Sequence, residues 1–187
     1  MMAVEAESAL PGDARWIGCG GPGDGTVRFK REIALDAPVS SAVLRYAGLG
    51  IAYASVNGAA VSDAVLDPPF TAYHKRIPVQ AVEVGRLLRP GENHLAVEVG
   101  NGWFNVRTPT VWRWHEAAWT GSPRLIAELV VTFLDGRTET VVTDEAWSAR
   151  GTPTVFNDVY AGETYDARLR DDLPAPCPAM VTDPPAG

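Results

Sequence analysis

At 187 residues the chain is long enough for one domain with a sizeable core. Its 46% apolar and 21% charged residues exclude a disordered chain. A net charge of −7 without a basic stripe sets it against phosphate backbones and so against nucleic acid, and no window is long and apolar enough to span a membrane.

In chain order, residues 1–14 read as a loose leader. Residues 1–8 carry acids and no apolar stretch, so no signal peptide is read there and the expected address is the cytoplasm. Gly18 to Gly25 is glycine-rich, but no Lys-Ser/Thr pair follows and the next segment reads as a strand, which counts against a phosphate loop. Residues 27–35 alternate apolar and polar. Residues 42–46 and 51–56 flank Gly48-Leu49-Gly50 as a hairpin would, and Asn57-Gly58 marks a tight turn after them. Residues 79–84 and 94–99 are two further strands. Residues 125–134 form the longest, ended by Asp135-Gly136, and 139–142 return beside it. Residues 155–160 read as the last strand. No long helix is read; Gly85 to Leu88 make one helical turn.

Short strands at this spacing, with 18 glycines and 15 prolines as punctuation, predict an all-β fold. The expected architecture is two antiparallel sheets packed face to face, a β-sandwich or jelly roll over residues 15–170. Five prolines between Pro174 and Pro185 mark 171–187 as a tail or linker.

Few residues carry metal or redox chemistry. Cys19 and Cys177 are too few for a disulfide framework, and two free thiols are favoured over a bridge. His74, His94 and His115 lack metal-ligand spacing, so no metal site is expected. The dense feature is an aromatic loop: Asn101-Gly102-Trp103-Phe104-Asn105, then Trp112-Arg113-Trp114-His115-Glu116 and Trp119. Tryptophan faces stack on sugar rings, and amides or carboxylates bond hydroxyls. Packing against a sheet or another domain competes with that role. Glycosidic cleavage needs paired carboxylates. Asp158, Glu163 and Asp166 crowd together, with Asp67 and Glu116 further away. Carboxylates so close in sequence more often cap turns or pair with a neighbour such as Arg168.

Several anchors in order resemble the N-terminal β-sandwich domain of bacterial α-L-rhamnosidases, a jelly roll of the galactose-binding type. They are Val56-Asn57-Gly58, the stretch from Leu66-Asp67-Pro68 through Phe70-Thr71-Ala72-Tyr73 to Lys75-Arg76, Gly91-Glu92-Asn93, Gly100-Asn101-Gly102-Trp103-Phe104, and the closing run Asp158 to Arg168. The resemblance implies a glycoside hydrolase accessory domain whose partner is a catalytic α/α barrel that carries the carboxylates. It assigns no catalytic residue here. Carbohydrate, rhamnosides in particular, is the implied ligand, and an independent carbohydrate-binding module is the alternative. Candidate sugar contacts are Phe70, Tyr73, Asn101, Trp103, Trp112 and Trp114. Asp158, Tyr160, Glu163, Tyr165, Asp166 and Arg168 are expected as a structural or interface motif: Asp158, Glu163 and Arg168 form a polar network, and the two tyrosines pack on it. The resembled domain is akin to a calcium-dependent rhamnose-binding sandwich, but the corresponding segment Ala47 to Ile51 has no acid or amide side chain. No cofactor is therefore expected; calcium stays an alternative that these residues do not support. A homodimer is expected if the module stands without its barrel.

Overall fold

The computed structural model describes residues 12–20 and 24–185. Residues 1–11 of the expected leader, 21–23 of the glycine-rich stretch and the last two residues of the expected tail lie outside them. Fourteen strands run through the described residues: β1 (Ile17–Gly18), β2 (Val27–Leu35), β3 (Val39–Leu49), β4 (Ile51–Val56), β5 (Ala59–Ala60), β6 (Gln80–Glu83), β7 (Gly91–Gly100), β8 (Arg124–Phe133), β9 (Thr138–Val142), β10 (Ser148–Gly151), β11 (Thr154–Asp158), β12 (Gly162–Tyr165), β13 (Cys177–Pro178) and β14 (Met180–Val181). Three short 3-10 turns, Gly85–Leu87, Trp114–Glu116 and Ala167–Leu169, are the helical elements among these residues.

The strands build a β-sandwich. One sheet has the order β14-β1-β8-β3-β6, with β9 also on β8. The other has the order β13-β10-β2-β7-β4-β5, and β11-β12 stand apart as a hairpin. Period-two alternation decides which side chains meet between the sheets. β2 turns Val27, Phe29, Ile33 and Leu35 inward, and β7 turns Leu95, Val97 and Val99 inward; β8 answers with Leu125, Ala127, Leu129, Val131 and Phe133. Trp147 is the largest side chain sealed inside, and its Nε1 donates to the Val142 carbonyl at 2.8 Å, so no polar atom of its ring is stranded.

Local signals hold at the turns. Asn57 and Gly58 both take positive φ (52° and 80°), the two-residue turn that matches strand twist, and they join β4 to β5. Gly91 has φ +89°, and Asn93 ties the returning chain to the Arg89 and Gly91 carbonyls.

Three readings change in three dimensions. β3 and β4 are not a hairpin: β3 runs on to Leu49 along β8 in one sheet, while β4 starts at Ile51 along β7 in the other. Gly50 makes the crossing at φ +127°, where a Cβ would stand 1.9 Å from the Gly100 carbonyl oxygen, so only glycine fits. Residues 154–158 are not the last strand, because β12 pairs back on them and two strands follow. The proline-rich segment contributes those two. β13 adds to β10 and β14 to β1, and Ala179 between them is buried in the core.

Candidate functional site

A second apolar cluster lies on the outer face of the first sheet. Ala47 and Leu49 of β3 and Ile126 of β8 fall out of phase with the core residues beside them, so they point away from the sandwich. Loops cover them: Trp16, Tyr73 and Phe104 are buried here, with Trp103, Trp119, Ile77 and Val79 packed around. Tyr73 meets Phe104 edge-on at 5.2 Å between ring centroids. Its ring is 3% exposed, and burial pushes its phenol up to about 12.

Beyond this cover the rings continue outward. Phe70 meets Trp103 at 5.8 Å and Trp114 at 5.2 Å, and Trp103 meets Tyr160 of the β11-β12 hairpin at 5.7 Å. Three chain segments thus meet at one end of the molecule. Phe70 (44% exposed) and Tyr160 (43%) are half open, whereas Trp112 (69%) makes no ring contact among the described residues. Of the six candidate sugar contacts, the structure gathers Phe70, Tyr73, Trp103 and Trp114 and sets Trp112 outside.

Asn101 is withdrawn from the surface. It is fully buried, and its Nδ2 donates to the Asp24 carbonyl (2.8 Å) and the Asn157 carbonyl (2.7 Å). Its Oδ1 accepts from Asn105 Nδ2 at 2.7 Å, and its backbone N–H donates to Asn157 Oδ1 at 2.7 Å. Both amide hydrogens are used inside the protein, so Asn101 bolts the end of β7 to β11 instead of offering itself to a sugar. Asn105 and Asn157 complete this latch. Asn157 lies 56 residues from Asn101, a separation that leaves no spacing signal, whereas Asn105 stands four residues on in the same aromatic loop.

Asp158 does comparable work. It is 5% exposed, and its Oδ2 accepts from the Arg107 and Thr108 backbone N–H groups at 2.8 and 3.0 Å. Its Oδ1 accepts from those of Tyr160 and Ala161 at 2.8 and 3.2 Å. Burial raises its pKa, but four N–H donors outweigh burial and hold it below the usual carboxylate range. The expected network of Asp158, Glu163 and Arg168 does not form. Arg168 pairs instead with Asp166 at 2.6 Å and pulls that carboxyl down to about 2, while Glu163 and Tyr165 stay exposed. Glu163 stands opposite Asn157 in the β11-β12 pairing but leaves its side chain to solvent.

Residues 37–172 match the family described as the α-L-rhamnosidase N-terminal domain. The chain belongs to this family. An α-L-rhamnosidase of Formosa agariphila is 32% identical over 170 residues, 83% of this chain and 18% of that enzyme. One of Streptomyces avermitilis is 37% identical over 130 residues, 70% of this chain and 12% of the enzyme. The crystal structure of the Aspergillus terreus α-L-rhamnosidase superposes with a TM-score of 0.80 at 26% identity, over 92% of this chain and 21% of that one. The chain thus spans less than a fifth of the length of these curated relatives.

Within this rhamnosidase N-terminal domain the carboxylates suit anchoring. Glu116 accepts from Arg113 Nε at 2.9 Å, and Asp158 and Asp166 hold backbone N–H groups of their own loops. Asp158 and Asp166 both sit low, whereas the general acid of a glycosidase is raised. Among the described residues no three His, Cys, Asp or Glu side chains gather as metal ligands do. In the segment Ala47 to Ile51, Ala47, Leu49 and Gly50 are buried, and no side-chain oxygen there fits calcium.

Proposed function

We propose that this rhamnosidase N-terminal domain is a non-catalytic accessory module that docks against the catalytic barrel of an α-L-rhamnosidase-type enzyme and helps shape its substrate cleft. The observation that carries the reading is where the exposed apolar side chains lie. Val65, Leu66, Phe70, Val111 and Trp112 are 44–91% exposed, and they sit on the loops at the aromatic end. A patch of this kind on a folded domain marks a protein-binding face. The low-lying carboxyls of Asp158 and Asp166 support the absence of catalysis.

Two assays test it. The chain alone is expected to leave an aryl α-L-rhamnoside unhydrolysed. Turnover that falls with Asp166→Asn or Glu163→Gln overturns the reading. Titrated with a separately expressed catalytic barrel of the family, the chain is expected to bind with a change in tryptophan fluorescence that Trp112→Ala removes. Without a barrel, the same patch favours a homodimer, which sedimentation reads directly.

The second reading is an independent carbohydrate-binding module, favoured by Trp112, which is 69% exposed with both ring faces free of aromatic neighbours among the described residues. Calorimetry with L-rhamnose, with calcium and again with chelator, decides it. Saturable heat lost in Trp112→Ala promotes this reading, and loss with chelator brings calcium into the site.

A further inference from the structure

On the outer face of the first sheet, beside the buried aromatic cover, lies an open cleft of about 450 Å³. That is within the range of small-molecule sites, ~300–1,000 Å³. Trp16, Tyr73, Ile77 and Val79 form its floor, and Pro184 and Pro185 close one side. Its charged lining is basic, Lys75 and Arg76, with His74 beside them and no Asp or Glu among the described lining residues.

Two observations set this cleft apart from the rest of an acidic surface. Most arginines here are engaged: Arg28 with Glu98, Arg45 with Glu128, Arg107 with Asp24, Arg137 with Asp36 and Asp135. The side chains of Lys75 and Arg76 have no hydrogen-bond or ion-pair partner among the described residues, although the chain carries a net charge of −7. Tyr73 is 97% buried by its 3% exposure, lines the cleft, and its hydroxyl has no partner among the described residues either. The ring is buried but the hydroxyl is open to the cleft, where it can donate to a ligand oxygen in place of water. With its phenol raised to about 12, Tyr73 remains a donor at neutral pH. Three side chains without a hydrogen-bond partner among the described residues, two of them exposed cations, thus border an apolar floor.

We infer that this cleft binds a carboxylate-bearing saccharide unit, a uronate, with Arg76 and Lys75 on the carboxylate and the Tyr73 hydroxyl donating to the ligand. An Arg fork matches a carboxylate in geometry as well as charge. The anionic half of the inference stands on the cleft alone; that the carrier is a sugar rests on the proposed function. Trp112 does not line the cleft, whereas Phe70 meets the Tyr73 ring edge-on at 6.2 Å, so Trp112 is the docking residue that can be changed without touching the ligand site.

Calorimetric titration of the full chain with D-glucuronate, D-glucose and acetate tests it. D-glucuronate is expected to bind saturably, and more tightly than either comparison compound. Arg76→Gln and Lys75→Gln are each expected to weaken it about tenfold, the scale of one charge-assisted hydrogen bond. Tyr73→Phe keeps the ring and the fold, checked by an unchanged melt of the aromatic signal, and is expected to weaken binding several-fold. Absence of D-glucuronate binding, or equal binding of D-glucose, overturns the inference. Acetate binding as tightly as D-glucuronate overturns the sugar assignment. None of these outcomes changes barrel docking in Trp112→Ala, so failure here is distinguishable from failure of the accessory role.

Discussion

The two hydrophobic clusters of this domain are built from different materials. The core between the sheets comes mainly from strand residues in alternation, aliphatic side chains with Phe29, Phe133, Tyr46 and Trp147 closed in among them. The cluster on the outer face of the first sheet comes mainly from loops, its rings grade from buried Tyr73 and Phe104 to half-buried Trp103, and Trp112 stands open outside it. The contrast teaches that the first cluster makes the fold and the second makes a surface. Aromatic rings on loops can be partly buried and still present faces to a partner.

That division can be broken from the core outward. Trp147→Ala removes the largest sealed side chain and is expected to cost about 3–5 kcal/mol, read as a lower urea midpoint. Asn101→Ala removes one of the two donors to the Asp24 carbonyl and the side-chain partners of the Asn157 carbonyl and the Asn105 amide, and is expected to cost roughly 2–4 kcal/mol. Its specific mark is faster amide exchange in β11 and β12, with the core strands still protected. If exchange rises evenly across the domain, the latch is not local.

Asp158→Asn sharpens the comparison through pH. The lowered folded-state pKa means the carboxylate's stabilisation is fully present above the unfolded value, about 3.9, and is lost as pH falls through the folded value. The variant is expected to be roughly 1–3 kcal/mol less stable at neutral pH. The gap to the parent chain should close below that range in acid unfolding curves, and a gap independent of pH refutes the charge-based account. The smallest stability effect belongs to Trp112→Ala. At 69% exposure and without ring neighbours it is expected to stay within about 0.5 kcal/mol of the parent chain, while barrel docking is lost. A large loss of stability would make Trp112 part of the fold and remove it from the docking face.

Much of the scaffold was legible because strand alternation and turn chemistry are local. β2 and β4 fall where alternation placed them, and the Asn57-Gly58 and Asp135-Gly136 turns follow from backbone preference. β10, with Ser-Ala-Arg-Gly, and two-residue β1 escaped notice because neither carries an alternating pattern; their neighbours hold them. Gly48-Leu49-Gly50 reads equally well as a hairpin turn or a crossing between sheets. Local geometry is similar in both, and only the pairings of β3 with β8 and β4 with β7 choose between them. At the candidate site, residue types were legible but roles were not. Asn101 and Trp112 both read as sugar contacts, yet one became an internal bolt and the other the most exposed ring of the loop.

By itself the sequence determined the all-β class, most strand positions, the turn residues and the family. Each of these follows from the order of residues over short stretches. Only the tertiary structure decided which carboxylates are locked, which rings remain open, and that Tyr73, Lys75 and Arg76 share a cleft with Trp16 and the closing prolines. Those outcomes depend on burial and on partners far apart in the chain. The free energy of a polar group is set by what surrounds it once the sheets have packed.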